Sequence, residues 1–321
     1  MTHKTVVVLG TGGTIAGRAS SSHDNVGYKA GEVPVAELLG DVPVPAGCRV
    51  EAEQVAQIDS KDMSEAVWRR LLQAVRRHLD RVEVAGLVVT HGTDTLEETA
   101  YLLQRVFSPA KPVVLVSAMR PASAALRDGP QNLADGLHVA TTPGVRGVLA
   151  VCAGKLHSAY DVQKAHNYRL DVYDSGDAGP VAVLEEGRLT QWRAWPAEPD
   201  APQADWMPHL LSSQPWPRVE WITSHGGQTG ALVRALLQPP ADGSPPLAGL
   251  VVAGTGNGTV HESMESALVE AQQAGVVVWR TTRCPAGRVI DTGSSRFPSI
   301  ALPPSKARLA LLLDRLAAQS A

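Results

Sequence analysis

The hydrophobic pattern of the chain alternates between short apolar runs and longer stretches with helical period. Val6–Leu9, Gly86–Val89, Val113–Val116 and Val148–Val151 are short apolar runs bounded by turn residues, as expected of strands buried on both faces of a parallel sheet. Residues 50–57 read as a further strand. Between the runs, Trp68, Leu71, Leu72, Val75 and Leu79 form one apolar stripe behind a Ser64 cap, and Leu96, Ala100, Leu103 and Phe107 form another. Thr95-Leu96-Glu97-Glu98 has the Thr-x-x-Glu spacing of a capping box. Alternating strands and helices predict a doubly wound α/β sheet.

The pattern breaks between Trp192 and Arg218, where Pro196, Pro199, Pro202, Pro208, Pro215 and Pro217 accompany little periodicity. This stretch reads as an extended linker. Beyond it, apolar runs at Val219–Thr223, Leu250–Ala253 and Val276–Trp279 alternate with helical stretches near Ala231–Leu237 and His261–Ala274, and Lys306–Leu316 makes the last helix. The expected organisation is a larger N-terminal α/β domain over residues 1–192, a linker over 193–217 and a smaller α/β domain over 218–321. A length of 321 residues fits two domains.

Composition narrows the function classes. With 19% charged residues, 44% hydrophobic residues and a formal net charge of −3, the chain resembles ordinary globular proteins and lacks the basic footprint of a nucleic-acid binder. Arg69-Arg70 with Arg76-Arg77 reads as a solvated helix face. No apolar run approaches the length needed to span a membrane. Cys48, Cys152 and Cys284 are widely separated, without metal-ligand spacing or the even count of a disulfide framework. A reducing, cytoplasmic compartment and the absence of metal or other cofactor are the expectations.

The candidate chemistry gathers at strand ends. Val6–Leu9 runs into Gly10-Thr11-Gly12-Gly13-Thr14-Ile15-Ala16-Gly17. Gly10 and Gly12 fit the first two positions of a dinucleotide fingerprint, but Ile15 stands where its third glycine is needed, and no Walker A motif occurs. The small and polar residues from Ala16 to Glu32, with Tyr28 as their aromatic, read as a mobile loop. Gly86–Val89 runs into Thr90-His91-Gly92-Thr93-Asp94-Thr95, hydroxyls and a carboxylate at a strand-to-helix turn, where open α/β sheets bind ligands. Taken singly, Thr14, Asp94 and Ser60 are also ordinary turn and capping residues, and Lys164 an ordinary surface lysine.

With those motifs in order, the chain resembles the bacterial L-asparaginases, amidohydrolases that use a threonine nucleophile. The resemblance rests on Thr11-Gly12-Gly13-Thr14-Ile15-Ala16 and Thr90-His91-Gly92-Thr93-Asp94-Thr95. Gly27-Tyr28-Lys29-Ala30-Gly31, Ala118-Met119-Arg120-Pro121, Asp128-Gly129-Pro130, Asp161-Val162-x-Lys164 and Gly254-Thr255-Gly256-Asn257-Gly258 follow in the same order. It implies a flavodoxin-like smaller domain and a homo-oligomer, a dimer or a tetramer. The implied substrate is small: L-asparagine, with L-glutamine as a side substrate. Thr14 and Tyr28 are the implied nucleophile and its support. The resemblance further implies that Thr93, Asp94 and Lys164 form a second polar triad and that Ser60, Lys61, Asp94 and Ala118 line the substrate site. Which threonine attacks first stays open, and His91 reads as a structural turn histidine.

Two positions depart from the family pattern. Lys61 stands where relatives commonly carry Gln or Glu near the substrate ammonium, and is expected to point away from it. No glutamate occurs between Arg283 and Ala321, so the acid that a neighbouring subunit often lends is missing, with Asp291 as a weak substitute. Thr259 occupies a position that is Asn in several relatives and Ser in some that accept glutamine. The rival reading is a non-catalytic, amino-acid-binding relative.

Overall fold

A computed structural model of the chain describes residues 4–40, 42–196, 206–293 and 295–318. Its contacts divide the chain into two units, residues 1–202 and 203–321. The larger unit is built on an eight-stranded sheet. In chain order its elements are β1 (Lys4–Gly12), β2 (Cys48–Ile58), α1 (Glu65–Leu79), β3 (Val84–Thr90), α2 (Leu96–Phe107), β4 (Pro112–Val116), α3 (Gly129–Thr141), β5 (Gly147–Cys152), β6 (Lys155–Ser158), β7 (Ala182–Glu185) and β8 (Arg188–Gln191). The strand order is β8-β7-β6-β5-β4-β3-β1-β2.

Strands β1 to β5 pair in parallel. Their side chains alternate between two covered faces. Val6, Val8, Val88 and Val114 join Leu133 and Leu137 of α3 in one core layer. The intervening Val7, Leu9, Leu87 and Val89 are equally buried on the opposite face, where α1 and α2 pack. Ser64 caps α1 as the sequence predicts, accepting the Val67 N–H. Gly136 lets α3 sit close, since a Cβ there would lie 2.6 Å from Val116 Cγ1.

The sheet is mixed, whereas the sequence pattern predicted an all-parallel one. Beyond β5 the strands β6, β7 and β8 run antiparallel. Two-residue turns produce the first and last of these reversals: Ala153-Gly154 and Glu186-Gly187 all take positive φ, as primed hairpin turns require. Ala-Gly and Glu-Gly are weak signals for such turns, which is why the apolar pattern alone missed them.

In the smaller unit, β9 (Arg218–Thr223), α4 (Ala231–Leu236), β10 (Leu247–Gly254), α5 (Glu262–Gln273), β11 (Val277–Thr282) and α6 (Pro304–Ala318) follow in order. The three strands are parallel, in the order β9-β10-β11. Val233 of α4 and Met264, Ala267 and Leu268 of α5 bury one face against Ile222, Leu250, Val252 and Val278. Helix α6 covers the other, where Gly249 admits it closely: a Cβ there would meet Leu311 Cδ2 at 2.8 Å. The predicted linker includes residues 197–205, which lie outside the described residues. Part of the remainder is packed, not extended: Met207–Leu210 forms a helical turn, and buried Trp216 donates its indole N–H to Leu210 O at 3.1 Å.

Candidate active site

The strand order reverses at β1, because the chain passes from β1 to β2 on one side and then to β3 on the other. At such a switch point the carboxyl ends of neighbouring strands leave a crevice. Here those ends are stitched together by hydrogen bonds. Gly13 N–H donates to Ile58 O at 2.7 Å and Thr11 Oγ1 donates to Thr90 O at 2.8 Å. Gly13, at φ 81°, lies so near the next turn that a Cβ would fall 2.3 Å from both Gly92 N and Gly92 Cα. A Cβ on Gly92 would meet Ser60 Oγ at 2.5 Å. Only glycine pairs allow three turns to approach this closely.

Thr14 follows directly in a short 3-10 turn, Thr14–Ala16. Its Oγ1 lies 2.6 Å from the Tyr28 hydroxyl. The segment expected to be a mobile loop folds back, pairing Arg18–Ala19 with Tyr28–Lys29 in a two-residue antiparallel ladder, which sets Tyr28 over Thr14. The ring also packs on Gly17, where a Cβ would lie 2.7 Å from Tyr28 Cδ2. Burial raises the Tyr28 pKa, and the Thr14 bond opposes that rise only in part. Tyr28 is therefore a neutral phenol at physiological pH, able to donate to or accept from the threonine.

Across the Gly13–Gly92 contact stands the second group. Lys164 Nζ donates to Thr93 Oγ1 at 2.8 Å and to Asp94 Oδ1 at 2.5 Å. Lys164 belongs to a two-residue strand, Gln163–Lys164, paired with Tyr173–Asp174. Its backbone N–H donates to Glu97 Oε2 at 2.6 Å, fixing it to the first turn of α2. Thr93 is 5% exposed, while the Asp94 side chain is 49% exposed. The threonine is thus held in the wall, and the carboxylate faces outward.

Ser60, at the end of β2, is buried and accepts the Asp94 N–H at 3.2 Å, which leaves its own O–H to donate. The capping box predicted for α2 does not form. Thr95 makes no side-chain cap and donates instead to Ser60 O at 2.8 Å, so the local motif is overridden by a tertiary contact. Lys61 is exposed, its ammonium 2.5 Å from Asp62 Oδ2, and that bond raises its pKa. Ala118, two residues beyond β4, is 1% exposed and packs in the same core layer as Leu133 of α3.

His91 is fully buried. Its partners fix the tautomer: Nδ1–H donates to Gly92 O at 2.7 Å, and Nε2 accepts from Thr99 Oγ1 at 2.9 Å. Thr99 in turn accepts the Trp68 indole N–H at 2.9 Å. Burial lowers the His91 pKa to about 4, so it is neutral and linked to helices, not to the crevice. The residue most clearly missed by sequence reasoning is Tyr173. Buried between Ser117 Oγ at 3.2 Å and Thr93 O at 3.3 Å, it supports the Thr93 turn from a stretch with no pattern to mark it.

In the smaller unit, the Asp291 carboxylate is fully engaged. It accepts from Ser299 Oγ at 2.5 Å and from Gly293 N–H at 2.8 Å, and pairs with Arg280 at 3.3 Å. Those bonds lower its pKa. Thr259 pairs with Thr255, the two hydroxyls 2.9 Å apart. Among the described residues, no cluster of His, Cys, Asp or Glu could hold a metal ion.

Residues 5–196 match the family described as Asparaginase, N-terminal, and residues 218–314 match the Glutaminase/Asparaginase C-terminal domain. A glutaminase-asparaginase of Pseudomonas fluorescens biotype A is 35% identical over 88% of this chain and 76% of its own length. L-asparaginase 2 of Escherichia coli K12 is 33% identical over 96% and 88% respectively. The crystal structure of a probable cytoplasmic L-asparaginase from Campylobacter jejuni superimposes with a TM-score of 0.85 at 32% identity, covering 97% of this chain and 95% of that one. With both family domains matched in order and relatives similar over nearly its whole length, the chain belongs to the asparaginase family.

Proposed function

We propose that the protein is an L-asparaginase, hydrolysing L-asparagine to L-aspartate and ammonia through an acyl-enzyme on Thr14. The family and the relatives named L-asparaginase support the activity. The observation that carries the mechanism is the meeting of two hydroxyl groups' support systems, Thr14 with Tyr28 and Thr93 with Lys164 and Asp94, across the Gly13–Gly92 backbone contact.

The steps balance without a metal. Thr14 Oγ1 attacks the side-chain carboxamide carbon, its proton passing through the neutral Tyr28 phenol toward the leaving nitrogen. The C–N bond breaks, ammonia leaves and a Thr14 ester remains. Water, oriented by Thr93 with Lys164 behind it, then cleaves the ester and restores the hydroxyl. The exposed Asp94 carboxylate pairs with the substrate ammonium, and the Ser60 O–H donates to its α-carboxylate. Lys61, neutralised by Asp62, stays out of that exchange.

Glutamine is a slower second substrate on this reading, supported by relatives named glutaminase-asparaginases. A glutamine rate equal to the buffer rate would remove that part. A cytoplasmic location accords with three free cysteines, and a homo-oligomer is what the family resemblance alone carries.

Ammonia release from L-Asn, beside Thr14→Ala and Thr93→Ala, tests the proposal. Each variant should lose about a thousandfold or more in kcat. Intact-mass measurement should detect an aspartyl adduct in Thr93→Ala and none in Thr14→Ala. Activity near wild type in either variant refutes the roles assigned to the two threonines, and an inactive parent protein favours a binding relative.

A further inference from the structure

The hairpin that carries Tyr28 is too small to hold itself in place. Its ladder has two residue pairs, Arg18 with Lys29 and Ala19 with Tyr28, and a two-stranded hairpin by itself is marginally stable at best in water. At its root Gly17 N–H donates to Thr14 O at 2.8 Å and Gly31 N–H donates to Gly13 O at 3.1 Å. Those bonds fix where the hairpin begins, not the Ala19–Tyr28 pair one step beyond. That pair is met from outside by residues 119–128. Ala19 directs its N–H out of the ladder, to Ser123 Oγ at 2.8 Å, and Ala125 N–H donates to Ser22 O at 2.9 Å. The 119–128 loop is itself braced. The Asp128 carboxylate accepts the Met119 and Arg120 N–H groups at 2.9 and 3.0 Å, the Arg120 guanidinium donates to Leu126 O at 2.6 Å, and Ala124 N–H closes a turn on Pro121 O at 2.9 Å.

We propose that Ser123 is a positioning residue for the nucleophile, latching the Ala19–Tyr28 pair so that the Tyr28 hydroxyl stays on Thr14. Ala19 makes the bond, and its effect reaches Tyr28 because the two are cross-strand partners and the Tyr28 ring packs on Gly17 at the root of the same hairpin. If the hydroxyl is removed, the Ala19 N–H is satisfied by water as well as by the loop, so the seated and lifted hairpins come closer in free energy. The rate then follows the seated fraction. The effect on rate rests on the roles assigned to Thr14 and Tyr28, whereas the latch itself does not.

Hydrogen exchange and ammonia release on the full chain test this, with Ser123→Ala removing the acceptor and Ser123→Thr keeping it. In Ser123→Ala the amides of residues 18–29 should exchange about fivefold faster than in wild type, with those of β1 unchanged. The kcat for L-Asn should fall about fivefold as well. Ser123→Thr should return both to within about twofold of wild type. In a Tyr28→Phe background, which has no hydroxyl to seat, Ser123→Ala should cost less than about a further twofold. A general loss of structure would instead add its full cost there. Unchanged exchange in Ser123→Ala, or Ser123→Thr exchanging as fast as Ser123→Ala, overturns the latch. Faster exchange with kcat unchanged, or the full loss repeated in the Tyr28→Phe background, overturns the positioning role. A parent protein inactive on L-Asn whose 18–29 segment still loosens in Ser123→Ala upholds the latch and refutes the asparaginase reading instead.

Discussion

At the scale of single residues, the site is held by groups that touch no substrate. Glu97 acts on Lys164 through its backbone, at 2.6 Å from the N–H, and so sets where the ammonium meets Thr93. A hydrogen bond to a charged acceptor contributes about 1.5–3 kcal/mol. Glu97→Leu should therefore lower kcat about tenfold or more with KM little changed, and Glu97→Gln, which keeps an acceptor, should recover most of it. A KM effect alone would place Glu97 in binding. Lys61 gives the contrasting case: because its charge is already met by Asp62, Lys61→Gln should leave KM for L-Asn within about twofold of wild type. A marked fall in KM would show that the lysine had been repelling the substrate ammonium.

At the scale of elements, the turns after β1, β2 and β3 form one unit because two glycines let their backbones touch. Gly13→Ala places a methyl 2.3 Å from the Gly92 backbone and forces a positive φ on a residue with a Cβ. Neither turn can yield without moving Thr14 or Thr93. Loss of activity and destabilisation of about 2 kcal/mol or more are expected. Gly47 provides the control, since it also has positive φ but open space around it. Gly47→Ala should cost about 1–2 kcal/mol for the backbone conformation alone and leave kcat intact. Thermal unfolding and ammonia release on both variants separate close approach from conformational strain.

At the scale of the whole molecule, His91 ties the β3 turn to α2 and α1 through Thr99 and Trp68. It folds neutral, with a pKa lowered to about 4 from 6.5. Between those values the unfolded chain binds the proton and the folded protein does not, so stability rises with pH across that window. The contribution is fully present above about pH 6.5 and lost progressively as pH falls to about 4, an effect on the order of 3 kcal/mol. Denaturant unfolding from pH 4 to 7 should show this slope. In His91→Gln it should be shallower, although the variant is less stable throughout. An unchanged slope would assign the acid sensitivity elsewhere.

The sequence alone determined the two α/β units, because runs such as Val6–Leu9 and stripes such as Trp68 to Val75 announce buried strands and amphipathic helices locally. It also marked the turns that carry Thr14 and Thr93, since their glycines and hydroxyls are contiguous. The tertiary structure decided what lies between distant segments. The antiparallel strands β6 to β8 depend on turns whose residues signal weakly, Thr95 leaves its predicted cap for Ser60, and Lys164, Glu97 and Tyr173 come together from three stretches of chain. Periodicity records which face of an element is buried, but a lysine's partner seventy residues away leaves no periodic trace. That partner is set by where the sheet order reverses, which is a property of the assembled fold.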